Sequence, residues 1–139
     1  MIVLDTNVLS ALMLRTPEAV VVGWLDTQPR TSLWTTSITA YEIRSGLEIM
    51  PAGRRRRLLE AAFAKLIDRV LDHRVASFDL AAADAAGSIA AKQRRAGRPV
   101  EIRDVQIAGI VSAQNATLAT HNTRHFEGIG LSLVDPWSL

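Results

Sequence analysis

Residues 2–7, with the sequence Ile-Val-Leu-Asp-Thr-Asn, decide the fold class of this chain. Three apolar residues, two of them β-branched, predict a short buried strand. The strand ends abruptly at Asp5, and Thr6 or Asn7 can cap a helix over about residues 8–14. A strand that turns directly into a helix predicts an α/β domain.

The rest of the chain alternates helices and strands. The pattern predicts helices at about residues 17–26, 37–50, 54–70, 80–95 and 104–114, and strands at 33–37, 75–78, 116–120 and 131–134. Asp79 is a good N-cap for the helix at 80–95, and Gly97 and Pro99 end it. We therefore expect one domain over residues 1–139, with a mainly parallel sheet of four to five strands flanked by helices.

Composition excludes several classes of protein. The 139 residues contain no cysteine, which excludes disulfides and thiolate metal sites. The apolar stretches are short and interrupted by charge, so we expect no membrane span. Residues 1–5 lack the basic start and the long apolar segment of a signal peptide, which favours a cytoplasmic protein. A formal charge of +2 permits a nucleic acid partner without requiring one.

Three acidic residues stand where apolar residues are expected. Asp5 follows the first strand at its carboxyl end, where ligand sites form in open α/β sheets, although a cap for the next helix is an equally good interpretation. Glu42 shares a helical stripe with Ile38 and Ile49, which turns it toward the interior unless it lies exposed at the edge. Asp104 opens the predicted helix at 104–114, where the helix dipole favours a carboxylate, and ordinary helix-start chemistry is the alternative.

Together, the three acids favour a shared site more than any of them does alone. If the predicted helices flank the predicted sheet, the acids converge at one end of that sheet. Converging carboxylates repel one another unless a cation joins them, and Mg²⁺ or Mn²⁺ takes oxygen ligands while retaining water. Such a site can activate water and offset charge on a phosphoryl group.

Longer motifs around these acids resemble the PIN-domain family, in its branch of VapC and FitB toxins from bacterial type II toxin–antitoxin systems. MIVLDTNVLSALM (1–13) is similar to the first family motif, and TSITAYEIRSGL (36–47) to the second, which contains the glutamate. GRPVEIRDVQIAGIVSAQNATLATHNTRHF (97–126) covers the third and fourth motifs, and VDPW (134–137) is typical of this branch. The ordered set of motifs spans essentially the whole chain.

This resemblance implies an α/β/α sandwich with the activity of a magnesium-dependent endoribonuclease. RNA phosphodiester bonds would be hydrolysed to a 5′-phosphate and a 3′-hydroxyl. Asp5 and Asp104 match the family positions of direct or water-mediated metal ligands, and Glu42 completes the acidic pocket as a ligand or by orienting water. A small cognate antitoxin with a DNA-binding domain and a homodimeric toxin are also implied.

The fourth motif departs from the strictest family pattern. Many relatives carry an acid at the position of Asn122 or near that of His125, and neither position is acidic here. Asn122 can accept a hydrogen bond or hold metal-bound water, but it adds no negative charge. We therefore expect a site that lacks the fourth carboxylate and holds one metal ion. Zinc at His121 and His125 is disfavoured, because they lie in a predicted loop without a cysteine.

The residues that contact substrate are less sharply indicated. Thr6 and Thr120 can hydrogen-bond a ligand or a phosphate, or serve as ordinary turn and strand-end residues. Arg95 and Arg98 belong to a basic cluster close in sequence to the third acid, which favours contact with RNA phosphates. The four arginines at 54–57 splay around a helix start and are better explained as a solvated face.

Two other functions are open on the sequence. A haloacid-dehalogenase-type phosphatase also begins with a strand ending in aspartate, but it needs a second aspartate where this chain has Asn7. A catalytically weak or inactive PIN domain would act as an RNA- or protein-interaction module. The missing fourth acid favours that module, and the three retained acids argue against it.

Overall fold

Five short strands form one parallel sheet at the centre of the protein, which a computed structural model describes over residues 1–138. The strands are β1 (Ile2–Leu4), β2 (Leu33–Thr36), β3 (Val75–Ala76), β4 (Thr117–Ala119) and β5 (Ser132–Val134). Their order across the sheet is β3-β2-β1-β4-β5. The predicted parallel sheet is confirmed, with the larger of the two expected numbers of strands.

Six α-helices surround this sheet within residues 1–138. They are α1 (Thr6–Leu12), α2 (Ala19–Asp26), α3 (Ser37–Ile49), α4 (Arg54–Lys65), α5 (Leu80–Arg95) and α6 (Ile102–Ala113). A π-helical turn, Leu66–Val70, extends α4, and 3₁₀ turns lie at Arg30–Ser32 and Thr123–Phe126. None of the helices in the described range has the length and apolar character needed to cross a membrane.

The sheet buries a different apolar core on each of its faces. Neighbouring residues of a strand point to opposite faces, so Leu4 packs with α1–α4 residues such as Val8 and Ile43. Val3 packs on the other face, with α5 and α6 residues such as Ile89 and Val111. The result is the three-layer α/β/α sandwich expected from the sequence.

The strand order creates a switch point beside β1. The chain runs outward from β1 to β2 and β3, and then returns through α5 and α6 to β4 on the other side of β1. Connections therefore leave the β1–β4 boundary in opposite directions, and a crevice opens there at the carboxyl ends of the strands. Asp5 follows β1 and Thr120 follows β4, so both lie at this crevice.

The ends of several elements differ from the sequence predictions. Asp5, not Thr6 or Asn7, caps α1, because its side chain accepts a hydrogen bond from the Thr6 N–H. Helix α6 begins at Ile102 instead of Asp104, since the Glu101 side chain caps it by accepting from the Asp104 N–H. The third strand stops at Ala76, before the predicted end at 78, as the Phe78 N–H turns away from the sheet to the Ser37 hydroxyl.

Candidate active site

Asp5 is a buried carboxylate at the switch point, with only 6 % of its surface exposed. Its backbone N–H donates to the Ala119 carbonyl of β4 at 3.0 Å, which fixes the residue against that strand. Its side-chain Oδ1 accepts from the Thr6 N–H at 2.8 Å, and Oδ2 accepts from the Thr120 hydroxyl at 2.8 Å. The cap interpretation and the site interpretation of Asp5 are thus compatible, because one oxygen serves each role.

Burial has the largest effect on the pKa of the Asp5 carboxyl. Removal from water raises the pKa of this carboxyl above its ordinary value of 3.8. Hydrogen bonds from Thr120 and the Thr6 backbone, the charge of His125 and the amide of Asn7 pull the pKa back down, but they do not cancel the effect of burial. Ionised Asp5 therefore lacks full compensation within the protein, and a cation beside it would supply the remainder.

Asp104 lies in the first turn of α6, with its side chain 26 % exposed. Burial raises the pKa of this carboxyl, and the negative charges of Glu101 and Asp5 raise it further. His125 opposes that shift, because its Nδ1 lies 3.1 Å from Asp104 Oδ2. The contribution of Asp5 to the raised pKa of Asp104 indicates that the two carboxylates lie within electrostatic range of each other.

Glu42 joins the site through a hydroxyl. The Thr6 hydroxyl donates to Glu42 Oε1 at 3.0 Å and lies 3.1 Å from the Thr39 hydroxyl. On its other side, Glu42 Oε2 lies 3.6 Å from a guanidinium nitrogen of Arg103. Glu42 is therefore hydrogen-bonded to Thr6, the residue that follows Asp5, and forms an ion pair with Arg103.

The predicted interior stripe of α3 is wrong at its C-terminal end, although Ile38 at its start packs against the core. Ile49 is 80 % exposed, and the buried face of this helix carries Thr39, Ile43 and Leu47. Glu42 lies at the edge of that face with its side chain 21 % exposed, which is the alternative that the sequence left open. The buried Thr39 in the first turn of α3 places its hydroxyl beside Thr6, next to the site.

Asp5, Asp104 and Glu42 are linked in two different ways. Within residues 1–138, no three histidine, aspartate or glutamate side chains are arranged as a group that could hold a metal ion. The charge of Asp5 acts on the pKa of Asp104, and Glu42 is linked through Thr6 to the residue that follows Asp5. Magnesium is commonly held by one or two carboxylates and several waters. Two carboxylates that are partly removed from water, as Asp5 and Asp104 are, fit that mode of binding.

Asn7 is a site residue that the sequence analysis treated only as a possible cap. Its amide nitrogen lies 3.4 Å from Asp5 Oδ2 and 3.2 Å from the Thr120 hydroxyl. Its carbonyl oxygen accepts from the His121 N–H at 3.1 Å. Asn7 therefore links the ends of β1 and β4. Its position two residues after Asp5, within the first motif, was the signal available in the sequence.

The strand-end residues support Asp5. Thr120 is fully buried, so its hydroxyl serves as a partner of the carboxylate and of Asn7. Asn122 is exposed, and its backbone N–H donates to the same hydroxyl at 3.1 Å. The predicted loop that carries Asn122 contains the 3₁₀ turn at Thr123–Phe126.

The two histidines of this loop belong to different pairs. His125 contacts Asp104, whereas His121 Nδ1 lies 3.2 Å from Asp135 Oδ1 and its ring packs against Trp137 at 4.4 Å. Burial raises the pKa of Asp135, but hydrogen bonds from the Trp137 N–H and from His121 outweigh it and leave the pKa below its ordinary value. The VDPW motif therefore secures the loop that follows β4.

The two arginines predicted to bind substrate have different surroundings. Arg95 is exposed in the last turn of α5. Arg98 lies beyond Gly97, packs against the backbone of Gly128 and lines a cavity that also contains Asp104. The fold thus places Arg98 next to the acids.

Comparisons with known proteins agree with this geometry. The family model described as PIN domain matches residues 2–130. Plasmid stability protein StbB of Pseudomonas syringae pv. tomato is 40 % identical over 137 residues, which cover 99 % of each chain. VapC ribonuclease Y4jK of Sinorhizobium fredii is 36 % identical and covers 99 % of this chain and 98 % of its own. The crystal structure of FitAcB from Neisseria gonorrhoeae matches with a TM-score of 0.90 at 28 % identity, over 100 % of both chains. The chain belongs to the PIN domain family.

Proposed function

We propose that this protein is a magnesium-dependent endoribonuclease and the toxin of a type II toxin–antitoxin pair, with residues 1–139 acting as one PIN domain in the cytoplasm. One observation carries the proposal. Asp5 lies buried at the crevice where β1 and β4 end, and its negative charge contributes to the raised pKa of Asp104 in the first turn of α6. Relatives named as VapC ribonucleases support RNA as the substrate.

The roles of the acids follow from their contacts. Asp5 and Asp104 hold Mg²⁺, or Mn²⁺ in its place, and Glu42 orients the attacking water or adds a ligand. The bound ion would polarise the phosphoryl group and lower the pKa of a water molecule. Thr120 and Asn7 keep Asp5 in one orientation, and Thr6 does the same for Glu42. Asn122 borders the site without adding charge.

The reaction is hydrolysis of a phosphodiester. The water oxygen forms a bond to phosphorus in line with the P–O3′ bond that breaks, and the leaving 3′ oxygen takes up a proton from solvent to become the 3′-hydroxyl. The water loses a proton to a carboxylate, for which Glu42 is the available group, and the other product carries a 5′-phosphate. Preorganised carboxylates at the crevice serve this reaction because they position water and metal before substrate arrives.

Purified protein with radiolabelled RNA tests this function directly. We expect cleavage in Mg²⁺ or Mn²⁺, products with 5′-phosphate ends, and no cleavage when EDTA replaces the metal ion. Restoring Mg²⁺ in excess of EDTA should restore the activity. Cleavage that persists in EDTA would contradict the assignment of the acids, and RNA that stays intact under all of these conditions would contradict the nuclease.

One observation favours the second candidate, an inactive interaction module. His125 lies 3.1 Å from one oxygen of Asp104, and no acid replaces the missing carboxylate of the fourth motif. The module would bind RNA or a protein without consuming it. RNA binding without cleavage at any Mg²⁺ or Mn²⁺ concentration would favour the module over the nuclease.

An antitoxin is the proposed protein partner, as a small protein with a DNA-binding domain that blocks the crevice. Structural neighbours of the chain are toxin–antitoxin complexes, some of them bound to DNA. The surface of residues 1–138 includes a groove of about 930 Å³ between the end of α1 and the face of α4. Its apolar lining includes Leu14 and Leu58, which are 51 % and 57 % exposed.

The charged residues around the groove indicate what kind of partner would bind there. Arg15, Arg54, Arg55 and Lys65 surround the apolar lining. An apolar groove with a cationic rim is complementary to an amphipathic helix whose apolar face is bordered by acidic residues. We therefore place an acidic amphipathic helix of the antitoxin in this groove. Part of the arginine run at 54–57 thus has a proposed function besides solvation.

Replacing Leu58 with glutamate tests the groove. We expect Leu58→Glu to lose co-purification with the product of the adjoining reading frame, because a carboxylate would face both apolar and acidic groups of the partner. RNA cleavage by the free protein should be retained. Ile49→Glu is the matched control, since Ile49 is exposed on α3 and outside the groove. Equal recovery of the complex for both variants would rule out this docking surface.

The toxin itself is proposed to be a homodimer. Light scattering of the purified protein should give a mass twice that of one chain.

A further inference from the structure

A second cavity opens beside the acids, with a volume of about 520 Å³. It lies between the segment after α5, the first turn of α6 and the loop around Glu127–Ile129. Asp104 and His125 form its border with the proposed active site. A cavity of this size is in the range that holds one small organic ligand. An RNA strand bound at Asp104 would therefore pass the opening of this cavity.

Arg98 is an exposed residue at the wall of this cavity, and its backbone is constrained on both sides. Gly97 adopts a φ of +70°, and the Arg98 N–H donates to the Gln93 carbonyl at 2.9 Å, which is the Schellman end of α5. Pro99 then restricts the backbone on the other side. The end of α5 and Pro99 therefore fix the backbone from which the Arg98 side chain projects.

The guanidinium of Arg98 also contacts the opposite wall of the cavity. Its guanidinium lies over Gly128, where φ is +75° and an added Cβ would collide with Nη1. The same nitrogen lies 3.5 Å from the Glu127 carbonyl oxygen. A glycine at this position leaves room for the flat guanidinium, whose plane can stack on a nucleobase.

The charges of the cavity argue against a site for a bare anion. Arg98, Arg124 and His125 line it together with the acids Glu101, Asp104 and Glu127. An isolated phosphate would meet as many acids as basic groups. A nucleobase differs from phosphate because its amino and ring N–H groups donate to carboxylates while its faces pack on apolar and guanidinium surfaces. Val105 and Ile129 provide such an apolar surface.

We propose that this cavity is a recognition subsite for one unpaired nucleotide of the RNA substrate, next to the bond that is cut, and that Arg98 holds its base by stacking. The inference rests on the proposed nuclease function and adds to it the part of the RNA that is read. An unpaired nucleotide is favoured because a base in a duplex must first be unpaired and unstacked before it can enter a cavity, which costs free energy. The protein therefore selects cleavage sites in loops or single strands.

Cleavage and binding of single-stranded RNA test the subsite. Cut sites are sequenced from an RNA pool with randomised positions, and binding of a fluorescein-labelled RNA decamer is measured by anisotropy in EDTA. The wild-type protein should show a base preference at one position beside the cut. Arg98→Ala should lose that preference and bind the decamer about ten-fold more weakly, since one base–side-chain stack is removed.

Two further variants separate stacking from charge. Arg98→Lys keeps the charge without the planar face, so it should resemble Arg98→Ala; full rescue by lysine would overturn the nucleobase assignment. Arg69→Ala removes one positive charge from an exposed residue before β3, outside this cavity, and should leave the preference intact. Equal weakening by Arg69→Ala and Arg98→Ala would reduce the effect to general electrostatics and overturn the subsite.

Failure of the subsite and failure of the nuclease are distinguishable. If the wild-type protein cuts RNA and Arg98→Ala keeps both its base preference and its affinity, the subsite is wrong and the nuclease stands. If no RNA is cut but the decamer binds in an Arg98-dependent manner, the nuclease is wrong and the nucleotide site stands.

Discussion

Asp5→Asn is expected to lower kcat/KM for RNA cleavage at least about 100-fold while the protein stays folded. Asparagine preserves the shape of the side chain, and its oxygen can still accept the Thr6 N–H that starts α1. It removes the negative charge that pairs with Asp104 in the proposed metal site. Activity should therefore fall by more than any change in folding can explain, which single-turnover cleavage and circular dichroism together would show.

The Asp5→Asn substitution should also change how the stability of the protein depends on pH and Mg²⁺. The raised pKa of Asp5 means that ionisation in the folded state is unfavourable without metal. Wild-type stability contributed by this group is thus present below pH 3.8 and is lost as the pH rises through the raised value. In EDTA, the stability of Asp5→Asn relative to wild type should therefore increase as the pH rises above 3.8. Added Mg²⁺ should raise the Tm of the wild type but not that of the variant.

The control is Asp26→Asn, which makes the same chemical change at an exposed residue at the end of α2. It should cleave RNA as the wild type does and respond equally to Mg²⁺. If Asp5→Asn retained wild-type cleavage, or if both variants lost the response to Mg²⁺, the proposed metal site would be wrong.

Gly109→Ala is expected to destabilise the protein by about 2 kcal/mol, although alanine is normally the better helix residue. Gly109 lies inside α6, where α5 crosses closely. A Cβ there would lie 2.5 Å from the Ala82 carbonyl oxygen and 2.6 Å from the Ala86 Cβ. Backbone and a short side chain cannot move aside cheaply, so the two helices must separate. Urea unfolding and Tm would report the loss.

Gly87→Ala is the matched control within the partner helix. An added Cβ at Gly87 meets nothing within 4 Å, so only the helix preference changes. We expect this variant to gain up to about 1 kcal/mol of stability. Opposite signs for the two substitutions would confirm that close approach of α5 and α6 sets the effect. Similar gains at both positions would mean that the helices are not packed as closely as described.

Local patterns were sufficient to predict most helices and strands. The apolar residues of β1 and the end of α5 at Gly97 follow from chemistry within a few residues, and both are found as predicted. Helix ends were less predictable where two good caps compete. Glu101 caps α6 although Asp104 is also a favourable residue near a helix start, because the two lie three residues apart and one accepts from the N–H of the other.

Side-chain orientation was less predictable than the presence of an element. A stripe through Glu42 and Ile49 is a valid helical stripe, but α3 turns a different stripe, through Ile43, toward the core. Periodicity identifies faces of a helix without saying which face meets the sheet when several are partly apolar. The contact of Glu42 with Thr6 depends on that choice.

The sequence by itself determined the alternation of helices and strands, the placement of an acid directly after the first strand, and the motifs of the PIN domain family. Only the tertiary structure decided that β4 lies beside β1, and so that Thr120 and Asn7 hold Asp5, that His125 meets Asp104, and that Arg98 lines a cavity beside them. The physical reason is the range of the interactions. Strand formation and capping depend on neighbours in sequence, whereas strand order is set by how two separate cores are buried on opposite faces of one sheet.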